Sequence, residues 1–258
     1  MFPHAGFIDR IELAKQNGAD AVEFWKWSDK DLDATKSAVQ KNGLEVCLMN
    51  LDSSDSELSY ALSRGILSHN RKEDLVKAIK ETSASMEKLG MKKKKAIVLT
   101  GDIDPQIPLE KALENAAECL SYGIVEAKNQ GMELVLEPLN TYDRQSYVMP
   151  YSYQGLDIVK KVNSPNLKLL LDIYHTQRME GNLIHTISEN IGLIGHFHVA
   201  NSPWRCEPDC GEIDYGAVLC EIEKLGYGEY VGFEYRIKNP DFDLGKYISS
   251  IRKYGFVK

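Results

Sequence analysis

No stretch of the 258 residues approaches the roughly 18 consecutive apolar residues of a membrane-spanning helix. The N-terminus also lacks the basic-then-apolar pattern of a secretion signal. These two absences exclude a membrane protein and point to a cytoplasmic one. Positive charge is in deficit: 31 Lys and Arg stand against 38 Asp and Glu, for a net charge of −7. A nucleic-acid backbone needs a clustered basic surface, so it is excluded as the normal partner. The basic run Lys92–Lys95 lies just before an apolar segment and reads as solvated surface. Histidine is scarce, with six residues, too few and too scattered for the multinuclear zinc centre of an abasic-site nuclease. The five cysteines are odd in number and fall mostly within expected strands or helices, as free thiols do in a reducing compartment. Cys206 and Cys210 share a loop, but one C-x₃-C without a second pair is weak evidence for zinc.

What the chain does have is a repeated device. Four apolar strand-like runs end in a potential metal ligand: Glu133–Glu137, Leu167–Asp172, Ile194–His198 and Tyr230–Glu234. The terminal residues Glu137, Asp172, His198 and Glu234 are spaced about 26 to 36 residues apart, the length of a strand, a helix and two loops. In a flat sheet four adjacent strand ends would spread over roughly 15 Å, at about 4.8 Å per strand. They converge only if parallel strands curl closed, which predicts a (β/α)₈ TIM barrel with its chemistry on the C-terminal rim. The length suits one barrel domain spanning residues 1–258.

The remaining chain follows the same cadence. Helices are expected at Phe7–Asn17, Asp31–Asn42, Arg71–Leu89, Pro108–Asn129, Tyr153–Val162, Leu183–Asn190, Tyr215–Leu225 and Leu244–Tyr254, and several stop at a glycine. Further strands are expected at Ala19–Phe24, Leu44–Asn50 and Ala96–Thr100, which makes seven clear strands. The eighth is the problem, because only Met1–Gly6 precedes the first helix. An abbreviated strand at Met1–Pro3 is the favoured reading; an incomplete seam or a start placed too late are the alternatives. An exposed seam is rarely tolerated uncovered, and an incomplete first strand makes contact with another subunit, a homo-oligomer, plausible. Three long segments, Leu51–Ile66, Leu139–Tyr151 and Ala200–Asp214, read as loops over the catalytic rim and as candidates for a lid.

Two Glu, one Asp and one His supply three anionic oxygens and one imidazole. That donor set suits Mn²⁺, Mg²⁺ or Co²⁺ in an open site better than structural zinc. A divalent ion chelated by a carbonyl and a neighbouring hydroxyl favours loss of the α-proton, and two flanking carboxylates, Glu137 and Glu234, are placed to remove and return it. His175, three residues past Asp172, is expected to project from a loop towards a substrate hydroxyl or carboxylate. Arg205 is the candidate for pairing with an anionic substrate group, and Glu23 for a further substrate contact. His196 reads equally as support for His198 or as barrel filling.

The segments LEPLN, DIYHTQRMEGN, IGHFHVAN, RCEPDCGEIDYGAV and GYGEYVGFEY resemble the hydroxypyruvate isomerase family, part of the xylose-isomerase-like superfamily of sugar isomerases and epimerases. The resemblance runs from about Phe7 onward. It implies a (β/α)₈ barrel, one divalent cation, and reversible conversion of hydroxypyruvate to tartronate semialdehyde or of related four-carbon 2-oxo acids. It also implies that Glu137 and Glu234 are an acid/base pair that ligates the metal, with Asp172 as another ligand. Three features depart from the family pattern. His198 stands where such isomerases commonly carry glutamine, as in ketose 3-epimerases; the segment after Asn50 reads LDSSDSELSYALSRGI and keeps only an Arg-Gly end; and the first strand is nearly absent. The expected substrate is therefore a small hydroxy-oxo acid, or a ketose in the epimerase alternative.

Overall fold

In a computed structural model the described residues are 1–252. Seven strands form one sheet in chain order: β1 (Ala21–Phe24), β2 (Glu45–Asn50), β3 (Lys94–Val98), β4 (Met132–Leu136), β5 (Leu167–Asp172), β6 (Ile194–Val199) and β7 (Val231–Phe233). Every adjacent pair is parallel. Among the described residues ten α-helices accompany them: α1 (Phe7–Gln16), α2 (Leu32–Lys41), α3 (Ser56–Arg64), α4 (Lys72–Leu89), α5 (Leu109–Asn129), α6 (Ser152–Val162), α7 (Ile173–Met179), α8 (Leu183–Asn190), α9 (Tyr215–Lys224) and α10 (Leu244–Ile251). The last two residues of the helix expected to reach Tyr254 lie outside the described residues.

The local chemistry explains the repeat. Asp31, Asp55 and Asp172 each accept two backbone N–H bonds at the start of the following helix, satisfying donors that have no partner within the helix. Leu134, Val135, Leu136, Leu169, Leu170 and Leu171 are fully buried, because a parallel sheet is covered by helices on one face and filled by side chains on the other. Among the described residues three apolar clusters result, a larger one centred on β2–β4 with α4 and α5, a second around β5–β7 with α8 and α9, and a small one of Tyr174, Ala200, Tyr235 and Leu244.

The fold is the expected barrel, incomplete at one seam. Met1–Gly6 forms turns and bends, so the favoured short strand at Met1–Pro3 does not form and the sheet is open between β1 and β7. A second difference lies in Leu51–Ile66, expected as a loop: Asp55 caps the helix α3 inside it. That helix ends at Gly65, where a side chain would overlap the backbone of Gly101. Arg144 reaches both Asp102 and the carbonyl of Arg64, while the Ile103 N–H donates to the Ser146 carbonyl and the Val148 N–H to the Gly101 carbonyl. The connections after β2, β3 and β4 are thereby tied into one wall.

A third difference concerns Lys92–Lys95. Lys92, Lys93 and Lys94 pair with surface carboxylates. Lys95 instead points into the barrel, where its ammonium donates to the Gly195 carbonyl at 2.5 Å and lies 3.1 Å from Glu133 and 3.6 Å from Glu229. A run of like charges in a strand cannot all face water, because alternate residues point inward. Among the described residues, no helix is long and apolar enough to cross a membrane.

Candidate active site

Four residues at or just past the C-terminal ends of four consecutive strands meet at one point. Asp172 ends β5 and His198 lies in β6, while Glu137 and Glu234 immediately follow β4 and β7. The latter two remain in the ladder, their N–H groups donating to the carbonyls of Val98 and Val199. One ligand atom from each of Glu137, Asp172, His198 and Glu234 lies within 4.8 Å of the others. His198 Nδ1 is 3.0 Å from Glu234 Oε2 and 3.8 Å from Glu137 Oε1.

The electrostatics of this cluster are those of an anionic cage. Burial raises Glu137 above the usual carboxylate range, although His198 opposes the shift. Burial also raises Asp172, to about 7, against the pull of Arg205. His198 moves the other way: burial lowers it, but the surrounding carboxylates, led by Glu23, hold it well above an ordinary histidine. Buried carboxylates that resist ionisation are stabilised by a further positive charge among them. Neither His198 nitrogen makes an aligned hydrogen bond. Glu234 differs: burial would raise it, but His198 and Arg205 hold it below the usual range. Three carboxylates, two of them raised by burial, and an unpartnered imidazole nitrogen fit an oxygen-preferring divalent cation. Glu137, Asp172, Glu234 and His198 Nδ1 are the groups that would hold it.

Behind this cluster sits Glu23, on β1. Its Oε2 accepts a hydrogen bond from His196 Nε2 at 2.9 Å, and its Oε1 lies 3.1 Å from His198 Nε2. Burial would raise Glu23, but the two imidazoles hold it well below the usual range, so it is ionised. With a cation taking the place of the Nδ1 proton, the ionised carboxylate against Nε2 would retain the proton there and leave Nδ1 to face Glu137 and Glu234 as a ligand, the arrangement typical of a metal-ligating histidine. The residue expected to touch substrate thus lies against the two histidines, and His196 supports the same carboxylate. Glu23 has room there because β7 carries Gly232 opposite it, where any Cβ would collide with the Glu23 carboxylate.

His175 belongs to α7, not to a loop, because Asp172 Oδ1 accepts the N–H groups of Tyr174 and His175 and starts the helix at once. The backbone N–H of Asn140 donates to His175 Nδ1 at 3.1 Å. That assigns the proton to Nε2, a buried donor with no hydrogen-bond partner, 3.6 Å from Asp172 Oδ2. Burial, with Arg205 and His198 nearby, holds His175 well below an ordinary histidine, so it is a neutral donor.

Arg205 sits in the segment after β6 at a positive φ of 53°. Its Nη2 is 2.9 Å from Glu234 Oε1 and 3.4 Å from Asp172 Oδ2, and the guanidinium lies over the Tyr174 ring. The backbone that aims it is pinned on both sides: Asn201 and Cys206 exchange two N–H···O bonds, and Arg236 N–H donates to the Arg205 carbonyl at 2.7 Å.

Two contributors were not legible in the sequence. Asn140 sets the His175 tautomer, and Tyr147 O–H donates to the Glu137 carbonyl at 2.8 Å while accepting the Thr100 N–H. Both lie in an irregular segment without periodicity, and the only signal was its density of polar and aromatic residues. A cavity of about 990 Å³ opens along the β1/β7 seam and is lined at the catalytic rim by Glu23, His196, His198, Arg205 and Glu234.

Comparison with known proteins agrees with this geometry. Residues 11–254 match the family described as xylose isomerase-like TIM barrel. Hydroxypyruvate isomerase of Escherichia coli (strain K12) is 32% identical over 237 residues, covering 92% of this chain and 90% of that protein. The 2-oxo-tetronate isomerase of Cupriavidus necator is 30% identical over 238 residues, covering 92% and 89%. Among solved structures, a protein described as AP endonuclease, family 2, from Brucella melitensis superposes with a TM-score of 0.85 at 27% identity, covering 98% of this chain and 95% of that one. The chain belongs to the xylose isomerase-like TIM barrel family, in the branch that holds the hydroxypyruvate and 2-oxo-tetronate isomerases.

Proposed function

We propose that this protein is a divalent-metal-dependent isomerase of a small hydroxy-oxo acid. Hydroxypyruvate, converted to tartronate semialdehyde, is the leading substrate, and a four-carbon 2-oxo acid the closest variant. The observation that carries the reading is the convergence of Glu137, Asp172, His198 and Glu234 on one point. Relatives named hydroxypyruvate isomerase and 2-oxo-tetronate isomerase, similar over most of their length, support it.

A bound divalent cation, Mn²⁺, Mg²⁺ or Co²⁺, supplies Lewis-acid stabilisation of the negative charge that develops on the substrate's carbonyl and hydroxyl oxygens. The chain's own groups do the rest. One of the pair Glu137 and Glu234 takes the proton from C3 of hydroxypyruvate, leaving an enediolate. A proton is then delivered to C2 and the C3 hydroxyl proton passes to the C2 oxygen, so C3 becomes the aldehyde and C2 carries the hydroxyl. His175 Nε2–H donates to a substrate oxygen, and the N–H groups of Arg205 left free by Glu234 and Asp172 face the substrate carboxylate. Burial keeps water from competing for the proton.

A second reading, a ketose 3-epimerase, is favoured by His198 in place of the glutamine common in hydroxypyruvate isomerases. Epimerisation returns the proton to the opposite face of the same carbon. A nuclease reading, which the name of the Brucella relative raises, is opposed by the net charge of −7. The test is an NMR assay in D₂O of metal-loaded protein with hydroxypyruvate and a panel of ketoses. Tartronate semialdehyde as product supports the proposal. Exchange at one carbon of a ketose, with hydroxypyruvate untouched, moves the protein to the epimerase reading.

A further inference from the structure

The segment between β6 and α9 gathers a second ligand set, separate from the oxygen-rich cluster. Cys206 Sγ, Cys210 Sγ and a carboxylate oxygen of Glu207 lie within 4.8 Å of one another. Cys206 is buried and Cys210 half-buried, and the Cys206 thiol donates to the Cys210 carbonyl. Glu207 is fully buried. Its Oε1 is committed, accepting the N–H groups of Lys238 at 2.7 Å and Asn239 at 2.9 Å. Its Oε2 is buried with no hydrogen-bond partner. A buried carboxylate oxygen left without a donor is costly, and it is normally found where an ion or other positive group completes the site.

We propose that Cys206, Cys210 and Glu207 bind one thiophilic divalent cation of the Zn²⁺ class. Two sulfurs and one carboxylate oxygen are the donors such an ion takes in four-coordinate sites, and the half-buried Cys210 leaves a fourth position for water. The catalytic cluster, with three carboxylates and one imidazole, prefers harder ions, so the two sites differ in ligand softness. The sequence spacing alone was weak evidence, because the third ligand lies between the cysteines and is recognised only by its unpartnered buried oxygen.

The location gives this ion a role. Arg205 adjoins Cys206 in the chain, and Glu207 links the segment after β6 to Lys238 and Asn239 after β7. A cation held by residues 206, 207 and 210 would fix the backbone that aims Arg205 at Glu234 and Asp172. It would act as a structural clamp on the rim and take no part in the chemistry.

Cd²⁺ is the probe, because its bonds to thiolate give an ultraviolet charge-transfer band. Metal-stripped, reduced protein is titrated with Cd²⁺ in excess Mg²⁺, which occupies the oxygen-rich cluster. The expected result is a band that saturates at one equivalent, persists in Asp172→Asn, weakens by about 10-fold or more in affinity in Glu207→Gln, and disappears in Cys210→Ser. No band, or a band unchanged in Cys210→Ser, overturns the proposal. Should that variant not fold, alkylation of the wild type followed by mass spectrometry decides. Protection of the half-buried Cys210 by Cd²⁺, with the exposed Cys220 still labelled, supports the site; Cys210 labelled equally with and without Cd²⁺ sinks it.

Discussion

The carboxylate of Glu23 fills the space that a side chain on Gly232 would occupy, across the seam where β1 and β7 carry no ladder between them. The glycine leaves room for the group that orients His198 and His196. Any Cβ there forces Glu23 away, and because both of its oxygens lie against imidazoles, moving it disturbs both contacts. Gly232→Ala is expected to leave the fold intact and to weaken Mn²⁺ binding by about 10- to 100-fold, the usual cost of losing a group that orients a metal-ligating histidine. Mn²⁺ titration followed by electron paramagnetic resonance measures this; unchanged affinity would show that Glu23 does not position His198.

His175 donates through Nε2 because Asn140 has claimed Nδ1. His175→Phe keeps a ring of similar bulk and removes the donor. It is expected to lower kcat/KM by about 10- to 100-fold, the magnitude of a hydrogen bond to a charged group, with metal affinity unchanged. A variant with wild-type kcat/KM would remove His175 from the site.

In the segment after β2, the buried Asp52 accepts the N–H of Ser28 at 3.0 Å. Burial would raise this carboxyl, but hydrogen bonds from Ser59 and Ser28 outweigh it and hold it below the usual range. A group whose folded pKa is depressed contributes stability above its unfolded value, near 3.9, and loses it as the pH falls through the folded value. Asp52→Ala is therefore expected to cost about 1–3 kcal/mol at neutral pH and less below about pH 3. Urea unfolding at several pH values tests it: an equal loss at every pH would show that Asp52 is not held ionised by these bonds.

Much of the barrel was legible because its signals are local. Apolar strands and glycine stops each act within a few residues, and four potential ligands at four strand ends required closure to meet. What was illegible depended on contacts distant in sequence. Lys95 reads as surface until the barrel closes and places it among Gly195, Glu133 and Glu229. Glu23 reads as a rim carboxylate until β6 and β7 arrive on its far side with His198 and Gly232. α3 was hidden because its Ser- and Asp-rich start resembles a loop, although Asp55 is the cap that begins it. His175 was assigned to a loop because a helix starting directly at a strand end, capped by Asp172 of the site itself, leaves no turn residues to read.

The proposed transfer of a carbon-bound proton of a small hydroxy-oxo acid by Glu137 and Glu234 can be followed directly. Its most direct test is the rate of solvent deuterium incorporation into hydroxypyruvate, followed by NMR with metal-loaded wild type, Glu137→Gln and Glu234→Gln. Circular dichroism and metal stoichiometry are measured on the same samples. The wild type is expected to incorporate deuterium and each variant to lose about 10²- to 10⁴-fold of that rate, with the fold retained. Incorporation by either variant at the wild-type rate would contradict it.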